Sequence, residues 1–289
     1  MLEALVLAED LRLDVDGVPA CDGLTLRTTG QRVLLLGAPH TLFEALAGLR
    51  PVMRGSLRVR GVATATAVGD GIVAAAPLDP ALPPKWTALE YVTWSARLSG
   101  RSTSDARTLA RDAIARVQLG AIAAQPLARM VPHARRGVAV AAALATAPQV
   151  MIVEDPLANL PEEIAHTWAG ILVSALEATP WVVLASRIAL TSPLTLATDE
   201  ALVVSGSRVD AQGPPAEIAA ADHRFVARIH GSLEALGARL AERGARMDVR
   251  GAQVLLDLGD SVTSADLLRM AGEADVAIVE MVPVARALT

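Results

Sequence analysis

Short runs of apolar residues divide the chain and are bounded by turn residues. A run of four to six apolar positions fits a strand that is buried on both faces, as in a parallel sheet covered by helices. The four runs lie at residues 31–36, 150–153, 181–186 and 201–204. They predict the central strands of one buried sheet.

Between these runs the apolar positions recur with helical spacing. This pattern is found in residues 41–49, 87–147 and 161–176. In the rest of the first 80 residues, apolar and polar positions alternate in part, which is typical of strands joined by turns. Gly48 and Pro51 stand where the first helix would end. Buried strands alternating with helices predict a layered α/β fold.

The pattern changes after residue 218. Residues 219–289 predict the order helix, strand, strand, helix, strand, with a hairpin tip at Gly251 and Ala252. The chain therefore divides into a larger domain over 1–218, with a helical subdomain at about 87–147, and a small α+β domain over 219–289.

Composition narrows the functional classes. Of 289 residues, 52% are hydrophobic and the formal net charge is −5, which excludes a disordered chain and argues against a broad nucleic-acid-binding surface. The single cysteine rules out an intramolecular disulfide. Without an 18-residue apolar run or a basic segment before the first apolar stretch, we expect an intracellular protein that neither spans a membrane nor carries a secretory signal.

Few residues offer obvious chemistry. Only one of the 26 basic residues, Lys85, is a lysine, so only this side chain supplies an ammonium group. The five histidines lack metal-ligand spacing, so no metal site is expected. No serine stands in a nucleophile elbow, so a serine nucleophile is not supported either.

Several segments together resemble the nucleotide-binding subunit of ATP-binding cassette (ABC) transporters. ALAGLRPVMRGSLRVRG resembles the helix after that family's phosphate loop, VAVAAALATAPQVMIVEDPLANL its Walker B region, and EALVVSGSRVDAQGPPAEI its closing hairpin. The resemblance covers residues 5–220 in the family's order, and the last 60 residues loosely resemble the appendage of exporter-type subunits. It implies a P-loop NTPase-like ABC ATPase fold with a helical subdomain and a small C-terminal α+β appendage.

The phosphate loop departs from the family's Gly-x-x-x-x-Gly-Lys-Ser/Thr pattern. The strand ends at Gly37 and Ala38-Pro39-His40-Thr41 follows, without the second glycine or the lysine. Glycine amides and the lysine hold the phosphates in this motif, and proline has no N–H to donate. Gly37, His40 and Thr41 remain as weak candidates for nucleotide binding, although His40 and Thr41 fit a simple helix start equally.

The catalytic carboxylates appear in reverse order. The family's Walker B strand ends in Asp-Glu, whereas here the strand runs into Glu154-Asp155. Arg187 stands where the family has its switch histidine. Each carboxylate is one methylene away from the usual length, and errors of about 1 Å can cost about 100-fold in rate. We therefore interpret Glu154, Asp155 and Arg187 as vestigial.

The remaining family motifs differ as well. Residues 130–134, Met-Val-Pro-His-Ala, replace the Leu-Ser-Gly-Gly-Gln signature, and Leu78 replaces the loop glutamine. Arg135 and Arg136 are cations that could meet phosphate, although a solvated helix start or a protein interface fits them better.

These departures predict a pseudo-ATPase, not an enzyme, that needs no cofactor and acts as a structural or regulatory part of a membrane transport or export complex. The alternative is an ABC ATPase with unorthodox motifs, which uses Mg²⁺ and ATP at Glu154 and Asp155. A third possibility is an α/β protein of another class whose likeness to ABC subunits is misleading.

Aromatic residues are rare and three of them cluster in the sequence. Trp86, Tyr91 and Trp94, with Leu78, are candidates for docking an ABC-type membrane subunit, because interfaces favour tryptophan and tyrosine. Core packing is the alternative for the aromatic residues. The expected partners are this membrane subunit and a second ATPase subunit, in a homodimer or heterodimer, and not nucleic acid. The expected location is cytoplasmic, at the inner face of the membrane.

Overall fold

A computed structural model describes residues 3–220, 223–251, 253–259 and 261–283. Ala252 of the predicted hairpin tip lies outside these residues. The described chain forms two compact units, Met1–Pro215 and Ala216–Thr289. The division falls three residues before the predicted boundary at 218/219.

A six-stranded sheet forms the centre of the first unit. Four of its strands are parallel neighbours that coincide with the apolar runs, and a hairpin strand closes one edge. In spatial order the strands are β10 (Arg208–Gly213), β9 (Glu200–Ser205), β3 (Arg32–Leu36), β8 (Trp181–Ala185), β7 (Val150–Glu154) and β6 (Val73–Ala76). The layered α/β fold is confirmed.

A second sheet, which is antiparallel, packs against the first, and one short helix contributes to the core that they share. Its strands are, in spatial order, β2 (Val18–Arg27), β1 (Val6–Val15), β4 (Arg54–Val59) and β5 (Val62–Ala63). Helix α1 (His40–Leu46) buries Leu42, Phe43 and Leu46 in the core that the two sheets share. Helix α2 (Thr64–Gly69) follows β5.

Helices cover the rest of the first unit. They are α3 (Ala88–Leu98), α4 (Thr103–Arg116), α5 (Pro132–Leu144), α6 (Glu162–Ala175) and α7 (Pro193–Leu196), with short 3-10 turns at Gly120–Ile122 and Leu127–Arg129. A capping box between Thr87 and Glu90 starts α3, and Pro132 occupies the first turn of α5. Helices α3, α4 and α5 pack on one another and form the helical subdomain predicted at 87–147.

A buried carboxylate joins the turn before β3 to the edge of the sheet. Glu200, 5% exposed in β9, accepts hydrogen bonds from the amides of Thr29 and Gly30, the Thr29 hydroxyl and the Gln212 side chain. Burial raises the pKa of Glu200, but these donors together lower it below its ordinary value. The carboxylate thereby fixes the strand that leads into the phosphate-loop position.

The second unit contains one strand more than predicted. After helix α8 (Pro215–Ala220), its order is β11 (Arg224–His230), α9 (Leu233–Glu242), β12 (Arg246–Arg250), β13 (Gln253–Asp257), α10 (Ser264–Glu273) and β14 (Ala277–Pro283). The sheet order β12-β13-β11-β14 is that of a ferredoxin-like β-α-β-β-α-β unit.

The missed strand, β11, lies inside this sheet between β13 and β14. Its buried face carries Phe225 and Ile229, while Arg224 and Arg228 alternate with them and pair across the sheet with Asp257 and Glu280. Only one face of the strand is apolar, so its sequence lacks the continuous apolar run that marked the other strands.

Candidate functional site

A cavity of about 330 Å³ lies at the carboxyl ends of four parallel strands. Loops after β3, β6, β7 and β8 line it, and ligands of open α/β sheets bind at this end of the strands. The lining residues are Ala38, Pro39, His40, Leu78, Glu154, Asp155, Leu184, Ala185 and Ser186. We call this space the strand-end cavity.

The loop after β3 holds His40 against two carboxylates. The amide of Gly37 donates to the Ala185 carbonyl at 2.9 Å, which holds the start of the loop on β8. Helix α1 begins at His40, whose Nδ1 contacts Glu154 Oε1 and whose Nε2 lies 3.5 Å from Glu44 Oε1. The imidazole lies between the carboxylates of Glu154 and Glu44. Because it is 63% exposed, it stands at the mouth of the cavity.

The two carboxylates after β7 have different surroundings. Glu154 is buried and its Oε2 accepts a hydrogen bond from the Leu78 amide at 3.1 Å. Asp155 has a φ of 35°, and its Oδ2 accepts from the Ser186 amide at 3.1 Å. The backbone turn after β7 therefore separates the two side chains, so that they face different loops.

Thr41 contributes a hydroxyl without a partner. Its side chain is buried and its Oγ1 makes no hydrogen bond among the residues that the structure describes. A buried hydroxyl normally finds a partner, but Thr41 is not among the residues that line the strand-end cavity. Of Gly37, His40 and Thr41, the three positions predicted for nucleotide binding, His40 lines the strand-end cavity and the other two do not; their role in nucleotide binding stays a prediction.

Other predicted residues lie outside this group. Arg187 is exposed and does not line the cavity. The guanidinium of Arg135 donates to the Leu127 carbonyl, and that of Arg136 donates to carbonyls of two loops, so both are engaged with backbone. The sequence interpretation preferred a solvated helix start or a protein interface over phosphate contact for both arginines, and it did not foresee these bonds to backbone carbonyls.

Leu78 lies in the strand-end cavity, whereas its predicted docking companions form a separate cluster. Trp86 and Trp94 meet edge to face with centroids 5.7 Å apart, and Tyr91 lies 6.1 Å from Trp94. Trp94 is 45% exposed, which excludes simple core packing for this side chain. A cleft of about 450 Å³ beside the tryptophans is also lined by Arg97, Arg107 and Arg111. The docking role stays a prediction.

Glu44 is the functional neighbour that the sequence interpretation overlooked. It lies one helical turn after His40 and also pairs with Arg50 at 2.6 Å. The i,i+4 spacing of His40 and Glu44 was the available signal. Across the part of the chain that the structure describes, no group of three or more His, Cys, Asp or Glu side chains is arranged to hold a metal, and no helix has the length and apolar character of a membrane span.

The fold is that of the ATP-binding subunits of ABC transporters. A cbiO1 structure from Clostridium perfringens, part of the ABC transporter complex cbiONQ, matches with a TM-score of 0.65 at 20% identity, covering 76% of this chain and 92% of that one. MJ1267, an ATP-binding cassette of an ABC transporter, matches with a TM-score of 0.62 at 14% identity, covering 74% and 92%.

Part of the chain is similar to a curated protein. The taurine import ATP-binding protein TauB of Burkholderia pseudomallei is 31% identical over 137 residues, which are 46% of this chain and 52% of TauB. The chain thus matches about half the length of this relative. No family model matches the sequence.

These comparisons correct one prediction. The prediction that the chain is not an enzyme is wrong, because the proteins that share its sequence or fold are ATP-binding subunits and nothing shows a loss of activity. The non-enzyme prediction rested on the residues of the ABC family motifs that this chain lacks. The exporter type remains a prediction.

Proposed function

We propose that this chain is the ATP-binding subunit of an ABC-type transport complex and that it binds and hydrolyses Mg-ATP at the strand-end cavity. One observation carries the proposal: Glu154 and Asp155 line a cavity together with the loop after β3, within the fold of ATP-binding subunits. This was the alternative that the sequence left open.

The residues present fit a magnesium ion. Mg²⁺ prefers oxygen ligands and is usually held by one or two carboxylates together with substrate phosphates, so a three-residue protein cage is not required. Glu154 and Asp155 supply carboxylates at the cavity. The Thr41 hydroxyl, which is buried and makes no hydrogen bond among the described residues, belongs to the residue that follows His40 in the chain. When bound, the ion polarises a phosphoryl oxygen as a Lewis acid.

The phosphate side of the cavity differs from the family pattern. None of the lining residues is a lysine or an arginine, and the imidazole of His40 is a ring N–H donor available there. In the described structure this ring contacts Glu154, so a phosphate oxygen must replace the carboxylate as its partner. We infer that binding is weaker than in subunits with a complete phosphate loop.

The two carboxylates are assigned different tasks. Glu154 ends β7, where the family's magnesium-binding residue stands, and we assign it to the metal. Asp155 follows it, where the family's water-polarising residue stands, and its carboxylate is held by the Ser186 amide. Asp155 therefore orients the attacking water and accepts its proton.

Separate measurements of affinity and turnover test these assignments. We expect saturable Mg-ATP binding by calorimetry with a dissociation constant below about 1 mM, and measurable phosphate release. Asp155→Asn should lower turnover about 100-fold while leaving affinity nearly unchanged, because it removes a general base. Glu154→Gln should weaken Mg-ATP binding and leave the affinity for magnesium-free ATP largely intact.

Glu163→Gln is the matched control, since Glu163 is an exposed carboxylate in the first turn of α6. It should change neither quantity. Absence of Mg-ATP binding up to about ten times the stated limit would refute the proposed function.

We further propose that the chain works at the cytoplasmic face of a membrane, bound to an ABC-type membrane subunit and paired with a second ATPase subunit as a homodimer or heterodimer. Charge and exposure support the aromatic cluster of Trp86, Tyr91 and Trp94 as the docking surface, because exposed tryptophans beside arginines are typical of interfaces.

Trp94→Ala tests whether the aromatic cluster belongs to the protein surface and not to the hydrophobic core. We expect the free energy of unfolding to fall by less than about 1.5 kcal/mol, because the side chain is exposed and loses mainly its aromatic contacts. Trp168→Ala is the control, since Trp168 is buried in α6 and should cost several times more in the same urea titration. Equal losses would contradict a surface role.

A further inference from the structure

Arg136 joins two loops of the first unit through their backbone carbonyls. From α5, its Nε donates to the Leu78 carbonyl at 3.3 Å, and one terminal nitrogen donates to the carbonyls of Pro156 and Ala158 at 3.1 and 2.8 Å. Leu78 lies in the loop after β6, and the other two lie in the loop after Asp155. One guanidinium thus holds α5 against two of the four loops that line the strand-end cavity.

The Leu78 peptide extends this connection to the proposed metal carboxylate. Its carbonyl accepts from Arg136 on one side, and its amide donates to Glu154 Oε2 on the other. Glu154 in turn contacts His40 through its second oxygen. The result is a continuous hydrogen-bonded path from α5 to the loop after β3.

The arrangement requires a guanidinium. Only arginine presents a rigid planar fork with enough donors to serve three carbonyls at once, whereas a lysine ammonium on a flexible stem is a poor substitute. Burial lowers the pKa of Arg136 below its ordinary value, and attraction by Asp155 and Asp79 offsets only part of this effect.

We propose that Arg136 is a positioning residue that couples α5 of the helical subdomain to Glu154 through the Leu78 peptide. A leucine side chain cannot form the polar contacts of the glutamine that the family resemblance places at this position, so here the backbone of the same residue transmits the coupling. A shift of α5 moves the Leu78 amide and with it the Glu154 carboxylate. The effect of this coupling on Mg-ATP binding rests on the proposed function, whereas the coupling itself does not.

Hydrogen exchange of the ligand-free chain tests the coupling directly. Residues 77–80 are Pro-Leu-Asp-Pro, and because proline has no N–H, only the amides of Leu78 and Asp79 exchange in this segment. In Arg136→Gln we expect exchange at Leu78 to become about tenfold faster, because the lost hydrogen bond to the Leu78 carbonyl no longer holds the backbone of this residue in place. Exchange in β7 and β8 should stay as in the wild type.

Arg135→Gln is the matched control, because Arg135 is its neighbour on α5 and donates only to the Leu127 carbonyl. It should leave Leu78 unchanged, and Arg136→Lys should give an intermediate rate. A general structural role would instead speed exchange throughout α5 and the sheet. Unchanged exchange at Leu78 in Arg136→Gln, or an equal change in Arg135→Gln, would overturn the proposal.

A double variant identifies the path. If Arg136 acts through the Leu78 peptide on Glu154, Arg136→Gln should speed exchange at Leu78 by less than about twofold once Glu154→Ala has removed the acceptor of that amide. If the two substitutions instead multiply each other's effect on the exchange rate of Leu78, the path through Glu154 is excluded.

Because Glu154 is assigned to the metal, Arg136→Gln should weaken Mg-ATP binding about tenfold and change the affinity for magnesium-free ATP by less than about twofold, as expected for a group that orients another residue. A chain that binds no Mg-ATP would refute the proposed function and still leave the exchange experiments decisive for Arg136.

Discussion

Glu200→Gln is expected to lower the free energy of unfolding by about 3 kcal/mol. The buried carboxylate accepts from two amides at 2.6 and 3.0 Å, from the Thr29 hydroxyl at 2.8 Å and from Gln212 at 2.7 Å. Glutamine keeps the size of the side chain but turns one acceptor into a donor, which leaves buried N–H groups without partners. Urea unfolding at neutral pH measures the difference.

The same group makes stability depend on pH. The pKa of Glu200 in the folded chain lies below its ordinary value of 4.5, which we take for the unfolded chain. Its contribution is therefore complete above about pH 4.5 and declines as the pH falls through the folded pKa. The difference between wild type and Glu200→Gln should shrink over that acidic window.

Asp199→Asn is the control for this experiment. Asp199 is the adjacent residue and accepts from the amides of Gln31 and Arg32, but it is exposed, so water can replace the lost contacts. We expect a loss of less than about 1 kcal/mol. A loss as large as that of Glu200→Gln would mean that burial is not the reason for the effect.

Burial on both faces explains why most of the first unit could be predicted. The β3 and β7 strands are apolar at every position but one, β8 is apolar throughout, and their covering helices have clear periodicity. By contrast, β11 alternates charged and apolar residues, and its place between two strands depends on long-range pairing with β13 and β14. Local pattern alone does not reveal such pairing.

The sequence could predict the location of the candidate site, because that location is determined by the ends of the buried strands. Gly37, His40 and Glu154 follow buried strands, so a parallel sheet brings them to one edge. The bonds of Arg136 to three carbonyls were not predictable, because backbone acceptors carry no sequence signal.

A comparison of two glycines isolates the contact that holds the loop after β3. Gly37 and Gly71 both have a φ of 69°, a conformation that costs about 1 kcal/mol or more for alanine. A Cβ on Gly37 would lie 2.7 Å from the Val204 carbonyl of β9, whereas a Cβ on Gly71 would meet nothing within 4 Å. We expect Gly71→Ala to lower the free energy of unfolding by about 1 kcal/mol, and Gly37→Ala by about 3 kcal/mol.

Urea unfolding of both variants gives the two values, and calorimetry with Mg-ATP shows whether the loop has moved. Since the backbone strain is common to both substitutions, the difference between them measures the approach of Gly37 to β9 alone. Gly37→Ala should also weaken Mg-ATP binding, because displacing Gly37 shifts His40 and Thr41 relative to Glu154, while Gly71→Ala should not. Equal losses of stability would show that the close approach to β9 does not constrain the loop, and that the position of His40 depends on its contact with Glu154 instead.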